Sequence, residues 1–402
     1  MSSVTETQTQ PTPVLPTTGF DYQPATRVVF GAGCFRQLGA LAEGLAGRSV
    51  LLVTDPGLRE AGHSRTAENL LSEAGLSVAV FDEVSPNPTT DDVNRCVAFA
   101  RDHSVDLIVG LGGGSSMDCA KGTNFLLTNG GRMEDYRGVG RAKQAMLPMI
   151  AVPTTSGTGS EAQSFAVIAD PVTHMKMACG DRKAACRIAI LDPELTVTMP
   201  RSVAAATGVD AMTHALESYV TKKRNPISQM FAAKAWELLS GSFLTALEQP
   251  RDLVARGNML LGAHLAGAAI ENSMLGATHA MANPLSAHFQ MVHGIAVGVM
   301  MPHVIRWNAA EVPELYRNLA VTSGWATAKD SARDAAEALA SGFTKILKSA
   351  EMPISISGAL RDEAASGLIP TLAQEALQQW TGTFNPRTMD VAAFTEVYEN
   401  AF

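Results

Sequence analysis

The chain of 402 residues is poor in cysteines, aromatic residues and charges, and these shortages bound its class. Its five cysteines are odd in number and scattered without a CxxC pair, which argues against a disulfide framework and fits a reducing compartment. Aromatic residues make up 6% and charged residues 17%, whereas the hydrophobic content of 46% is that of an ordinary globular protein. No window reaches the roughly 18 apolar residues that a membrane span requires, so no membrane partner is expected.

Basic residues are fewer than acidic ones, since the chain has 31 Lys and Arg and 39 Asp and Glu, which gives a net charge of -8. This acidic balance argues against nucleic acid and against an anionic membrane as partners. Residues 1–20 lack the basic start and apolar segment of a signal peptide and are rich in Thr, Gln and Pro. We therefore predict a disordered tail and a cytoplasmic protein.

Continuous apolar runs alternate with amphipathic segments only up to about residue 200. RSVLLVTD, LSVAVFDEV, DLIVGL and PMIAVP are typical of buried strands in a parallel sheet, with helices between them. The pattern predicts an α/β domain over 21–199 and an all-helical domain over 200–402. Helices are predicted over 202–220, 226–247, 251–272, 295–308, 328–349 and 389–401.

A glycine-rich turn follows the DLIVGL strand. Gly112, Gly113 and Gly114 stand where a strand gives way to a helix that is predicted to begin near Ser115, with Asp118 placed to cap its first turn. Three glycines allow a ligand to approach the backbone, and the N–H groups and dipole of the helix favour a phosphate. A plain tight turn is the alternative interpretation.

The helical part contains one carboxylate and three imidazoles at spacings that suit a divalent metal. Asp210 and His214 are four residues apart in a helix, so they share one face. His279 and His293 are separated by Pro284, where a kink is predicted, so that a second backbone segment delivers the later imidazole. Such ligands suit Fe, Zn, Mn or Co. A single His is more often structural, but the four residues together favour a metal site.

These motifs resemble those of the iron-containing (group III) alcohol dehydrogenases, from about Asp21 onward. The D-x-x-x-H pair, the H-x-x-x-x-P segment, and the HG and MPHV that follow carry the resemblance. It implies the dehydroquinate synthase-like fold, in which a Rossmann-like parallel-sheet domain precedes a helical metal-binding domain. The implied activity is that of an NAD- and metal-dependent alcohol dehydrogenase or aldehyde reductase, with hydride passing between an alcohol at the metal and the nicotinamide. Fe(II) is the expected metal and Zn the alternative.

The resemblance also assigns cofactor contacts and metal ligands. GGGSxxD corresponds to the family's pyrophosphate loop, and TTxGTGSE to the segment facing the ribose and nicotinamide. A carboxylate at the end of the second strand favours NAD over NADP. The implied cofactor contacts are Asp55, Gly112, Gly113, Gly114, Ser115, Ser116, Asp118, Thr154, Thr155, Ser156, Thr158, Lys176 and Leu191, and the implied metal ligands are Asp210, His214, His279 and His293.

One position departs from the family pattern. Many members carry a second His four residues after the third ligand, and here that position is Asn283, an amide that cannot relay a proton near neutral pH. The relay is then water, the ribose hydroxyls or another residue, with His288 as a weak candidate. His264 and His303 are interpreted as structural.

The sequence leaves three alternatives to an alcohol dehydrogenase. A glycerol-type polyol dehydrogenase usually shows one metal ligand fewer, and a dehydroquinate synthase would need Lys and Arg near the metal segments, where few occur. A non-catalytic protein that binds metal or NAD is disfavoured because both motifs are intact. The resemblance further implies a homodimer or larger homo-oligomer, with the strand at 28–30 as the edge that pairs between subunits.

Overall fold

The computed structural model describes residues 19–172, 175–360 and 363–402. Most of the predicted tail, residues 1–18, lies outside them. Strands occupy only the first half of the described chain, before residue 192. They are β1 (Arg27–Phe30), β2 (Ser49–Val53), β3 (Ser77–Phe81), β4 (Leu107–Gly112), β5 (Gly138–Val139), β6 (Met149–Pro153), β7 (Phe165–Ala169), β8 (Lys176–Gly180) and β9 (Ile188–Leu191).

Six of these strands form one parallel sheet in the order β1-β9-β6-β4-β2-β3. The central strands β4 and β6 are buried along their whole length, as continuous apolar runs in a doubly covered sheet should be. Because all six strands are parallel, the segments after β2, β4 and β6 meet at one edge of the sheet, where ligands bind in open α/β folds.

Five helices connect the strands: α1 (Leu38–Glu43), α2 (Pro56–Glu60), α3 (His63–Glu73), α4 (Thr90–Asp102) and α5 (Gly114–Asn129). The helices α2 and α3 are separated at Gly62, which has a φ of 81°. The helix α4 starts with a reciprocal capping box between Thr89 and Asp92.

A second sheet, β5-β8-β7, was not predicted from the sequence. Its β7 and β8 pair antiparallel, and along both strands buried residues alternate with half-buried ones over the first three positions. One face of this hairpin therefore packs on the core of the sheet half and the other is partly open.

The second half of the chain is helical, with no strand among its described residues. The last strand ends at Leu191 and α6 begins at Arg201. The helices are α6 (Arg201–Val220), α7 (Pro226–Glu248), α8 (Leu253–Glu271), α9 (Ala277–Phe289), α10 (His293–Asn308), α11 (Pro313–Thr322), α12 (Ala332–Ser349), α13 (Ile356–Leu360), α14 (Ile369–Gln378) and α15 (Val391–Ala401).

The prediction that the chain kinks at Pro284, between the segments of His279 and His293, is wrong. The helix α9 continues through Pro284 to Phe289, since buried packing around the proline outweighs one lost backbone hydrogen bond. The break comes at Gln290, whose φ of 51° is left-handed, and α10 starts at His293. A second segment does deliver the later imidazole, as predicted.

Separate apolar cores support the two halves. The faces of the main sheet carry two clusters, and the helices from α6 to α15 share one large cluster. Among the described residues, α8 is long and apolar enough to cross a membrane by length and composition, with a mean hydropathy of 1.2. However, 67% of that window is buried inside the protein, and a core helix passes the same test.

Candidate metal and cofactor site

The metal-site candidates start on α6, which is buried on nearly every side. Asp210 and His214 lie one turn apart on it, and the Nε2 of His214 is 3.4 Å from Oδ1 of Asp210. Both side chains are buried. The helical spacing that the sequence indicated therefore brings these two groups together.

Two further imidazoles come from the next pair of helices. His279 lies in the first turn of α9, and its Nε2 is 3.5 Å from Oδ1 of Asp210. His293 is the first residue of α10, and its Nε2 is 3.7 Å from the same oxygen. One carboxylate oxygen is thus the common neighbour of three imidazole nitrogens contributed by three helices.

A second carboxylate, Glu217, lies behind this cluster and was not identified from the sequence. Its Oε2 is 2.7 Å from Nδ1 of His279 and also accepts the backbone N–H of Gly276 at 3.0 Å. Its Oε1 accepts the N–H of Thr278 at 2.6 Å. A carboxylate that binds the far nitrogen of an imidazole fixes the ring and leaves the other nitrogen free for a metal.

The charges of the cluster are strongly coupled. Burial by itself raises the pKa of Asp210, but electrostatic attraction to the imidazole of His214, and then to that of His279, outweighs burial and holds the pKa below its usual value. Burial disfavours a charged His279, yet its closeness to Asp210 and its hydrogen bond to Glu217 raise its pKa to about 9. Burial lowers the pKa of His214 and, together with the charge of Lys176, that of His293. His214 and His293 are therefore held neutral, the form that binds a metal.

The residues present fit a divalent metal. Oδ1 of Asp210 and Nε2 of His279 are buried without a hydrogen-bond partner. Ligand atoms of Asp210, His279 and His293 all lie within 4.8 Å of one another. Two ligands that are each about 2.1 Å from a metal are separated by about 3.0–3.5 Å, close to the separations seen here. A mixed carboxylate and imidazole donor set suits Fe or Zn.

The predicted phosphate turn lies at the ligand-binding edge of the main sheet. Gly112 has a φ of 149°, Gly113 precedes α5 without a side-chain cap, and α5 begins at Gly114. A side chain at Gly114 would place its Cβ 2.6 Å from Cγ2 of Thr158, so only glycine lets the two loops approach. The free N–H groups of this helix start remain available to an anion.

The predicted acidic residue stands beside this turn. Asp55 caps α2 by accepting the N–H of Leu58 at 3.1 Å, and its Oδ2 accepts the hydroxyl of Ser116 at 3.2 Å. The neighbouring Ser115 accepts the N–H of Asn87 at 3.2 Å. The ends of β2 and β4 thus bring a carboxylate and the glycine turn together.

The Thr154–Thr158 loop follows β6 and lies at the same ligand-binding edge of the main sheet. Its first residue, Thr154, donates its N–H to the carbonyl of Gly112 at 3.0 Å. Thr155 lies 3.4 Å from the Cβ position of Gly113, and the buried hydroxyl of Ser156 has no hydrogen-bond partner. The loop and the glycine turn therefore form two sides of one cradle.

Asp118 does not cap α5 as predicted. The helix begins one residue earlier than expected, so Asp118 lies a full turn inside it and accepts the hydroxyl of Ser160 at 2.7 Å. Next to it, the fully buried Lys121 donates to the carbonyls of Ser160, Gln163 and Phe165 at 2.6, 2.8 and 2.9 Å. Lys121 was missed because a lysine in a helix is ordinarily exposed. Both residues fix the loop after β6.

Lys176 and Leu191 lie in different surroundings. Lys176 begins β8, and burial lowers its pKa although the nearby charges of Asp210 and Asp118 oppose that shift. Leu191 ends β9, and its fully buried side chain packs with Leu260. Only the backbone of Leu191 is left for a cofactor contact.

The weak relay candidate His288 is not brought to the site. It is nine residues after His279 and so projects from the opposite side of α9. There its Nε2 lies 2.9 Å from Oε2 of Glu375. Asn283 is one turn from His279 and donates its amide to Oε1 of Gln379 at 3.0 Å.

The two histidines interpreted as structural lie outside the cluster. His264 on α8 has its Nδ1 3.3 Å from Oε1 of Glu161, so the pair joins the helical half to the loop after β6. Burial, followed by the charge of Arg306, lowers the pKa of His303 to about 4. Both placements agree with a structural role.

A parallel sheet with a glycine-rich cradle, joined to helices that carry a carboxylate and three imidazoles, defines a protein suited to binding a nucleotide cofactor beside a divalent metal. Two family models match the chain, iron-containing alcohol dehydrogenase over residues 25–193 and the C-terminal region of the Fe-containing alcohol dehydrogenase family over residues 204–402. The chain belongs to the iron-containing alcohol dehydrogenase family. It is an oxidoreductase that acts on CH–OH groups.

Individual relatives match nearly the full length of the chain. The NAD-dependent methanol dehydrogenase of Bacillus methanolicus is 33% identical over 384 residues, which are 96% of this chain and 100% of the relative. The 1,3-propanediol dehydrogenase of Klebsiella pneumoniae is 35% identical over 386 residues, 95% and 99% of the two chains. A crystal structure of 1,3-propanediol oxidoreductase superposes with a TM-score of 0.92 at 34% identity, covering 96% of this chain and 100% of that one. These findings confirm the predicted family, fold class and enzyme class.

Proposed function

We propose that the protein catalyses the reversible, NAD-dependent oxidation of a primary alcohol to an aldehyde, with Fe(II) as the metal held by Asp210, His214, His279 and His293. The observation that carries this proposal is the position of Oδ1 of Asp210, which is 3.4, 3.5 and 3.7 Å from the three imidazole nitrogens. The assignment of NAD and iron agrees with the family and with the names of the relatives.

A divalent metal at this cluster supplies Lewis-acid chemistry toward an alcohol oxygen or an aldehyde carbonyl. The chain supplies the ligand geometry. Asp210 contributes the negative charge and is the neighbour of each imidazole, while Glu217 holds the Nδ1–H of His279 and so keeps the Nε2 of that ring facing Asp210. Burial excludes water from these groups and strengthens their electrostatic interactions.

The residues at the sheet edge are arranged to hold NAD, whose nicotinamide exchanges a hydride with the substrate. In this proposal the N–H groups after Gly113 bind the pyrophosphate and Asp55 binds the adenosine ribose. Thr154, Thr155, Ser156 and Thr158 lie toward the second ribose and the nicotinamide. Lys176 lies beside both the cradle and the metal cluster, so its ammonium orients the cofactor toward the metal ligands.

The alcohol proton leaves by a route that does not use Asn283, because an amide has no titratable proton near neutral pH. The proposed route runs through water or the ribose hydroxyls. In this proposal His288 takes no part, which its contact with Glu375 on the other side of α9 supports.

We also infer a cytoplasmic homodimer with two domains, 21–199 and 200–402. All five cysteines are free and buried, as suits a reducing compartment. Within the described part of the chain β1 pairs only with β9, and Val28 and Phe30 on it are 41% and 47% exposed. An apolar edge strand of this kind is suited to pairing with a second subunit. Light scattering on wild type and on Val28→Lys tests this inference, since the variant should shift toward monomer.

The test of the proposed activity is metal removal and anaerobic reconstitution. Protein stripped with a chelator is given Fe(II), Zn or Mn, then NAD and a panel of primary alcohols, diols and glycerol, with NADH absorbance as the readout. Restoration of alcohol-dependent NADH formation by Fe(II) is expected. Full activity in the stripped protein would refute the metal assignment, and a preference for glycerol with Zn would favour the polyol dehydrogenase alternative.

A further inference from the structure

Two aromatic rings from opposite halves of the molecule meet between the β7–β8 hairpin and the turn that follows α14. Phe165 is the first residue of β7, and Trp380 begins a 3-10 turn, Trp380–Phe384, that follows α14. Their ring centroids are 6.1 Å apart with an interplanar angle of 34°, within the range of favourable aromatic pairs. Trp380 is 40% exposed, so the pair is covered on one side only.

The Trp380 end of this pair is tied to the helix that carries a metal ligand. His279 and Asn283 are one turn apart on α9, a rise of about 6 Å. Asn283 donates its amide to Gln379, the residue before Trp380. Farther along the same turn, a Cβ on Gly382 would be 3.3 Å from Cβ of Ala280, so the turn packs directly on the next residue of α9.

The Phe165 end belongs to the cofactor side. In the β7–β8 hairpin, Phe165 pairs with Gly180 and Ala169 pairs with Lys176, so Phe165 and Lys176 project from the same face. A Cβ at Gly180 would lie 2.3 Å from the Phe165 ring, which shows that the ring rests directly on the glycine backbone. The carbonyl of Phe165 is further held by Lys121. The ring is therefore fixed in place.

The faces of the two rings offer no hydrogen bond to a substrate. The amide of Gln163 donates to the carbonyl of Thr158 at 2.8 Å, and that of Asn283 donates to Gln379, whereas the buried hydroxyl of Thr381 has no hydrogen-bond partner. On the outer side, Trp380 packs edge-on against Phe384, and the ammonium of Lys223 lies over the Phe384 ring. A second hydroxyl of a diol or polyol that lies against the two ring faces would lose hydrogen bonds to water that the rings do not replace.

We propose that Phe165 and Trp380 form an aromatic wall that binds the non-reacting end of the substrate. This inference rests on the proposed function and specifies its substrate class. The preferred substrates are primary alcohols or aldehydes bearing an apolar chain or ring of several carbons, rather than short alcohols, diols or glycerol. Each methylene buried against the wall raises kcat/KM by about fourfold at full burial.

The kinetic test compares ethanol, 1-butanol, 1-hexanol, 1,3-propanediol and glycerol on the reconstituted enzyme. In wild type kcat/KM should rise from ethanol to 1-hexanol, and the diol and glycerol should be poorer substrates than 1-butanol. Trp380→Ala and Phe165→Ala should each lower the ratio of kcat/KM for hexanol over ethanol at least about tenfold, because hexanol loses more buried methylene groups than ethanol does. Trp380→Phe keeps an aromatic ring and should retain most of the ratio of kcat/KM for hexanol over ethanol. This variant is the control for misfolding of Trp380→Ala.

The matched control is Leu377→Ala. Leu377 is also 40% exposed and lies three residues before Trp380, at the end of α14, so its loss removes a similar exposed apolar group. The hexanol to ethanol ratio of this variant should equal that of wild type. An equal fall in the control would assign the effect to α14 rather than to the aromatic pair and would overturn the proposal.

A binding measurement separates this inference from the proposed activity. With NAD bound, 1-hexanol should change the tryptophan emission of wild type and leave that of Trp380→Phe unchanged. If alcohols are oxidised without dependence on chain length and the emission change persists in Trp380→Phe, the wall is refuted while the activity stands. If no alcohol is oxidised but the Trp380-dependent emission change is present, the wall stands and the activity fails.

Discussion

The Nδ1 of His279 lies 2.7 Å from Oε2 of Glu217, and this buried contact connects the metal cluster to the start of α9. The same carboxylate accepts the N–H groups of Gly276 and Thr278, so one side chain caps the helix and fixes its imidazole. Three donors converge on two oxygens that have no access to water. The position of His279 therefore depends on α6, the helix that also carries Asp210 and His214.

Replacing Glu217 by Gln should weaken metal binding about 10- to 100-fold. The amide keeps the size of the side chain but has a single acceptor oxygen, so at least one of the three N–H donors faces another donor. Metal affinity is measured by competition with a chromogenic chelator, using Zn and, under anaerobic conditions, Fe(II).

The matched control for this change is Glu237→Gln on α7. Glu237 is exposed and pairs with Lys234 on the same helix at 2.7 Å, so its neutralisation should leave the chelator midpoint where it is in wild type. Equal midpoints for Glu217→Gln and wild type would show that the contact does not orient the ligand.

The sequence predicted more of the metal site than of its support. Helical spacing places Asp210 and His214 on one face, and Glu217 follows three residues later on that same face, so a signal for it was present. The contact of Glu217 with His279 could not be predicted from helical spacing, because it spans 62 residues and depends on how α9 packs against α6. Strand patterns likewise predicted the main sheet but missed β7 and β8, FAVIA and KMACG, which form a hairpin outside that sheet. The approach of Phe165 to Trp380 arises only from tertiary packing.

Replacing Asp55 by Ser should shift cofactor preference from NAD toward NADP. The serine oxygen still accepts the N–H of Leu58 and preserves the cap of α2, whereas the negative charge that repels a 2′-phosphate is removed. The ratio of kcat/KM for NADP over NAD should rise at least about tenfold. An unchanged ratio, together with an unchanged melting temperature, would show that Asp55 does not face the ribose.

Replacing Gly267 by Ala should weaken NAD binding. A Cβ at this position on α8 would lie 2.4 Å from the carbonyl oxygen of Gly159, and the loop there has no space to retreat because Glu161 and Ser164 also bond to α8. Displacing that loop moves Thr158 away from the glycine turn. We expect at least a tenfold higher Kd for NADH, measured by fluorescence, and a melting temperature lower by several degrees.

Gly241→Ala is the control for this helix substitution. Gly241 lies on α7 with nothing within 4 Å of its Cβ position, so alanine there should be neutral or stabilise by about 0.5–1 kcal/mol through helix propensity. If both variants bind NADH as wild type does, the contact between α8 and the loop has no part in forming the cofactor cradle.

His303 should contribute to the loss of stability in acid. Burial and the neighbouring Arg306 lower its folded pKa to about 4 from 6.5, so below pH 6.5 the unfolded chain takes up a proton that the folded protein refuses. The stability associated with neutral His303 is present above pH 6.5 and declines as the pH falls toward 4. Replacement by Gln, which cannot be charged, removes this dependence, so the difference in melting temperature between wild type and variant should change across that interval and stay constant above it. A constant difference from pH 7.5 down to pH 4.5 would show that His303 titrates normally in the folded protein.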